Sequence, residues 1–156
     1  MRRDESEVSV AWASAAPAGR EMIALEVDRL PIGNSSRNAH WATKHRDRKE
    51  WIVLLRAALG RQKRPEKPIE RAKALFIRRS SREPDSDNLV WGFKAIRDLL
   101  QPPSKQNPGG LGLIESDDPA HFEAEYRWEP VKRGRGGVRI EVSEAPSASS
   151  EPEDGL

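Results

Sequence analysis

Four aspartates have the type and spacing to do chemistry. Asp85 and Asp87 stand one residue apart in EPDSDNL, residues 83–89, and Asp117 with Asp118 ends the run LGLIESDD. In an extended backbone, side chains two residues apart project to the same side, so Asp85 and Asp87 can present their carboxylates together. Carboxylates held close repel one another unless a cation lies between them. An all-oxygen donor set suits Mg2+ or Mn2+ better than zinc. Beside a phosphate, such an ion activates water and stabilises the leaving oxygen, so the expected reaction is metal-assisted phosphodiester hydrolysis. Each pair also has a plainer reading. Asp87 can cap a helix beginning at Asn88, and Asp117 with Asp118 can form a polar turn ahead of Pro119.

The charge around the first pair agrees with a phosphate partner. Arg78, Arg79 and Arg82 directly precede it, and Lys44, Arg46, Arg48 and Lys49 follow His40 and Trp41 in HWATKHRDRKEW. Residues 34–100 hold 17 Arg or Lys against 8 Asp or Glu, a net +9, whereas the whole chain of 156 residues carries +2. A local excess of this kind points to a polyanion, and its alternative is a solvated surface. The arginines are expected to hold the phosphates that flank a cleaved bond, and the basic helix to extend the contact along a DNA arm. His40 either contacts phosphate or supports the site, or it has a cap or core role. Other catalytic signatures are missing from the sequence: there is no GxxxxGK[ST], no HExxH and no GxSxG, and no cysteine offers a thiolate. GGLGL at 109–113 reads as loop, because it neither follows a strand nor opens a helix as a dinucleotide site requires. No nucleotide cofactor is expected.

The elements that must position these residues are legible from periodicity. With 36% hydrophobic and 33% charged residues, part of the length is expected not to pack. Residues 1–20 read as a disordered arm and 143–156, with four acids and no base, as a disordered acidic tail, leaving a domain at 21–142. MIALEV and RAKALFIRRS alternate as strands; the second is apolar on both faces and so belongs inside a sheet. Residues 40–59 read as a basic helix ended by Gly60, in which Trp41, His45, Arg48 and Ile52 share a face. Leu89, Phe93, Ile96 and Leu100 predict a second helix over 88–100, and QPPSKQNPGG breaks it. LGLI reads as a short strand, and HFEAEYRWEP with GGVRIEV as an antiparallel hairpin joined by VKRGRG. The expected fold class is α/β (α+β), a small mixed β-sheet with two helices packed on one face. No apolar run approaches the roughly 18 residues of a membrane span, and the N-terminus carries no apolar leader, so a cytoplasmic location and no membrane partner are expected.

DSDNL at 85–89, the helix carrying Lys94 and Asp98, and the DD at 117–118 resemble the RusA-type Holliday junction resolvases and their phage and prophage relatives. LPIGNSSRNAHW at 30–41 is similar to that family's strand-exit segment, where Pro and Asn precede a basic helix. The resemblance spans about residues 22–142. It implies a small homodimeric endonuclease, intracellular and nucleoid-associated or phage-encoded, that binds four-way DNA junctions and cuts symmetrically related strands with Mg2+ or Mn2+. It further implies that Asp85 and Asp87 are catalytic metal ligands, that Asp118 is the essential acid of the later pair with Asp117 beside it, and that Asn88 anchors the turn. One position departs from the family pattern. The lysine expected four residues after Asp87 is Trp91 here, and Lys94 matches the DNLxxxxK arrangement of phage-type relatives. Lys94 is then expected to lean back toward the acids. The implied function is resolution of branched DNA in recombination and repair, recognised by shape and strongly salt-dependent. The alternative is a branched-DNA-binding protein of the same fold with little or no catalysis.

Overall fold

The computed structural model describes residues 22–31 and 41–146. His40, the expected arm at 1–20 and residues 147–156 of the expected tail lie outside the described residues. Among the described residues, four strands, β1 (Ile23–Val27), β2 (Ala72–Ser80), β3 (Phe122–Pro130) and β4 (Gly137–Glu144), form one mixed sheet in the order β1-β4-β2-β3. β4 runs antiparallel to both β1 and β2, and β3 runs parallel to β2. β2 is therefore an inner strand, as its two apolar faces require: Ala74 and Phe76 on one side and Leu75 and Ile77 on the other are all buried.

The expected hairpin does not form. Although the segment 131–136 joins them, β3 and β4 flank β2 from opposite sides. Val131 N–H donates to Ser80 O at 3.1 Å, so the connector passes over the end of β2. Two strand spacings are only about 10 Å, which a six-residue connector spans easily. Sheet order here follows burial, since β4 sets Val138, Ile140 and Val142 opposite the apolar row Val27, Leu25 and Ile23 of β1.

Among the described residues, three helices cover one face: α1 (Trp41–Leu59), α2 (Ser86–Gly92) and α3 (Lys94–Leu99). The expected second helix is thus two. Its start lies at Ser86, and Phe93, at φ −91° and ψ 2°, breaks it while driving its ring into the core. Phe93 packs 5.1 Å from Phe76, which stacks on Tyr126 at 5.2 Å. Trp51, Leu55 and Leu59 bring α1 onto the same core, helped by the Arg29 guanidinium 5.4 Å over the Trp51 ring. Residues 111–114 make no strand beyond a single parallel bridge between Ile114 and Ile69. They cap α3 instead: Leu111 N–H donates to Leu99 O at 2.7 Å, and Leu113 N–H to Leu100 O at 2.9 Å. Glycine is required for that approach, because a Cβ on Gly110 would lie 2.3 Å from Gln101 O.

Among the described residues, no helix covers the opposite sheet face. Arg79 bonds Glu26 and Glu129 at 3.0 Å each, and Arg139 bonds Glu26 at 3.1 Å and Glu141 at 2.6 Å. These side chains lie over Leu75 and Ile77, which explains burial without a covering layer. Among the described residues, no helix is long and apolar enough to cross a membrane.

Candidate functional site

Asp85 and Asp87 sit where β2 hands over to α2. Asp85, with extended backbone at φ −71° and ψ 165°, is the N-cap: its Oδ1 accepts the Asn88 N–H at 3.0 Å. This reverses the expected division, in which Asp87 was the capping residue. Asp87 instead occupies the first helical turn, where its charge complements the helix dipole. Both are exposed.

The later pair is placed elsewhere. Asp85 follows the C-terminal end of β2, while Asp117 and Asp118 precede the N-terminal end of β3. Because these nine-residue strands run parallel and in register, the two pairs leave the sheet at opposite ends. The intervening strand spans roughly 26 Å at about 3.3 Å per residue. Asp118 is also engaged locally. Its Oδ1 accepts from Ala120 N–H at 2.9 Å and His121 N–H at 3.1 Å and meets His121 Nδ1 at 2.9 Å, while Oδ2 accepts from Ser116 Oγ at 2.8 Å. These bonds, led by that to His121 and then Ser116, hold the Asp118 carboxyl below its ordinary pKa; the same bond pushes His121 above its own. Asp117 Oδ2 lies 3.4 Å from Arg97 Nε, whose guanidinium also donates to the Tyr126 hydroxyl at 2.9 Å. Among the described residues, no three acidic or histidine side chains converge into a group that could hold a metal ion.

The basic residues divide as well. Strand alternation puts Arg78 and Arg79 on opposite sheet faces. Arg78 faces the helix side, where burial lowers its pKa and its Nη1 reaches Pro31 O at 3.5 Å. Arg79 is tied into the ion ladder of the open face, away from Asp85 and Asp87. Arg82 is exposed in the turn just before α2. On α1, Arg46 and Lys49 are exposed but Lys44 and Arg48 line a groove of about 460 Å3 between α1 and the α2–α3 pair. Trp41, His45, Trp91 and Lys94 complete its aromatic and basic lining. Lys94 Nζ stands 4.0 Å from Asp98 Oδ2, so it extends down α3 and not back toward the acids as expected.

This groove is the feature that motif reasoning underused. Its signal was in the sequence: Trp41, Lys44, His45 and Arg48 fall at i, i+3, i+4 and i+7, as do Trp91, Lys94, Ala95 and Asp98. Two such stripes facing one another make the groove. Trp91, the residue standing in the family lysine's place, is part of its wall. Asp87 precedes Trp91 by one turn of α2, on the same helical face, so the groove runs toward the first acidic pair. Among known proteins, no family model matches the chain and no curated sequence matches it.

Proposed function

We propose that this protein is a metal-dependent endonuclease of branched DNA, the activity implied by its resemblance to RusA-type resolvases. The observation that carries the reading is the placement of two exposed carboxylates at the start of α2, Asp85 as its N-cap and Asp87 one turn before Trp91, on the helix that walls a groove lined also by Trp41, Lys44, Arg48 and Lys94. Mg2+ commonly binds through one or two carboxylates and completes its shell with water and substrate phosphate oxygens. Asp85 and Asp87 fit an ion of that kind, completed by the substrate, better than a closed protein cage. The ion would supply charge neutralisation at a phosphate and a more acidic water. The chain's own residues do the rest. The cap bond to Asn88 fixes the Asp85 carboxylate, and Lys44, Arg48, Lys94 and Arg82 hold phosphates on either side. In the hydrolysis, a water oxygen bonds to phosphorus as the phosphorus–oxygen ester bond breaks, leaving one phosphate end and one hydroxyl end. Two symmetrically placed cuts would require two copies of the chain. Cleavage of a four-way junction by the purified chain, compared with Asp85→Asn and Asp87→Asn, tests the reading: both substitutions should abolish cutting while junction binding persists.

A second reading, a branched-DNA-binding protein with little catalysis, is favoured by one observation: Asp118 is satisfied within its own turn, at the far end of the sheet. It predicts a junction complex that Mg2+ and Mn2+ leave uncut.

A further inference from the structure

We infer that the groove between α1 and the α2–α3 pair binds one unpaired nucleotide, its base stacked against Trp41 or Trp91 and its phosphates held by Lys44, Arg48 and Lys94. The inference deepens the DNA-processing reading and rests on it. It makes the preferred substrate one with an unpaired or readily opened base beside the cut.

Several features of the groove select this occupant. Trp41 is 71% exposed at the start of α1, with its ring centroid 6.4 Å from that of His45. Every base has a π-face, so an exposed indole beside cations is the usual platform for a single strand and reads no sequence. Lys44, Arg48 and Lys94 match phosphates in charge: of the two acids in the wall, Asp47 is bonded to Arg29 and Asp98 stands 4.0 Å from Lys94, while Arg48 also donates to Asn107 Oδ1. The volume of about 460 Å3 lies in the range of small-molecule sites, room for a nucleotide. The open sheet face is a poor competitor for DNA, because its arginines are already bonded to glutamates.

The test is equilibrium binding by the full chain, without divalent metal, to labelled oligo(dT), to an abasic strand of equal length and to a blunt duplex. Oligo(dT) should bind most tightly. Trp41→Ala should weaken oligo(dT) about tenfold, in line with the loss of one base stack, and leave the abasic strand unchanged. Trp41→Phe should restore most of the affinity. Lys44→Gln should weaken both strands alike and reduce the salt slope by about one. Thermal melting checks that the exposed position tolerates the change. Equal losses on both strands, or none on either, would overturn the inference. So would self-association that Trp41→Ala abolishes while DNA binding stays unchanged, which would assign the groove to a second copy of the chain. Omitting metal separates this inference from the nuclease reading. A chain that stacks bases but cuts no branched DNA keeps the inference and removes the nuclease. One that cuts junctions with no effect at Trp41 does the reverse.

Discussion

At the scale of residues, Asp85 has two tasks that substitution can separate. As N-cap it accepts the Asn88 N–H, and asparagine does this about as well as aspartate. Asp85→Asn should therefore leave the melting temperature near that of the parent while cleavage falls about 100-fold or more, at or beyond what loss of an outer-shell metal partner costs. Asp85→Ala should lose the same activity and, in addition, about 1 kcal/mol of stability. Thermal melts and junction cleavage on the two variants read both effects. Asp118 should behave differently, because its carboxylate organises the turn into β3. Asp118→Asn is expected to retain cleavage within several-fold; a loss on the scale of Asp85→Asn would place it in the active site, through a second copy of the chain. The Asp118–His121 pair also carries a pH signature. His121 is raised above its ordinary 6.5, so its stabilising share is complete below that value and lost as pH rises through the raised pKa. Asp118 is held below its ordinary 3.8, so its share is complete above that value and lost as pH falls through the lowered pKa. The turn is firmest between the two limits. An NMR titration of His121 should show its midpoint fall in Asp118→Asn.

At the scale of elements, the strands and α1 were legible because alternation and 3.6-residue periodicity survive folding intact. The inner position of β2 followed from apolar residues on both faces. Strand neighbours were not legible: adjacency in sequence favoured pairing β3 with β4, and only the competition for burial beside β2 separates them. The break at Phe93 was hidden for a related reason. Leu89, Phe93, Ile96 and Leu100 keep a helical stripe across it, and the turn becomes necessary only because Phe93 must reach Phe76 and Tyr126. That contact predicts a large penalty, with Phe93→Ala losing about 3–5 kcal/mol in denaturant unfolding. Gly110→Ala should cost about 1–3 kcal/mol, since a methyl group there meets the Gln101 carbonyl. Of the candidate site, the first acid pair and Arg82 beside it were visible from residue types, whereas Arg79, expected with them, is tied to glutamates on the other sheet face. The separation of the second pair was not, because it depends on β3 running parallel to β2, a long-range choice with no local signature.

At the scale of the whole molecule, charge is sorted by surface. The open sheet face pairs its arginines with glutamates, while the helix side presents Lys44, Arg48 and Lys94 around two tryptophans and leads to Asp87. DNA binding should therefore fall linearly with the logarithm of salt concentration, with a slope of about −3 to −4 if Lys44, Arg48, Lys94 and Arg82 each neutralise one phosphate. Whether the chain cuts branched DNA is decided by divalent-metal-dependent cleavage of a four-way junction beside a fork, a flap and a plain duplex of matched sequence. Branched DNA should be cut in Mg2+ or Mn2+ and the duplex little, and cutting should be lost in Asp85→Asn and Asp87→Asn with junction binding retained. Cleavage by those two variants at the parent rate, or a bound junction left intact in both metals, would contradict the nuclease reading.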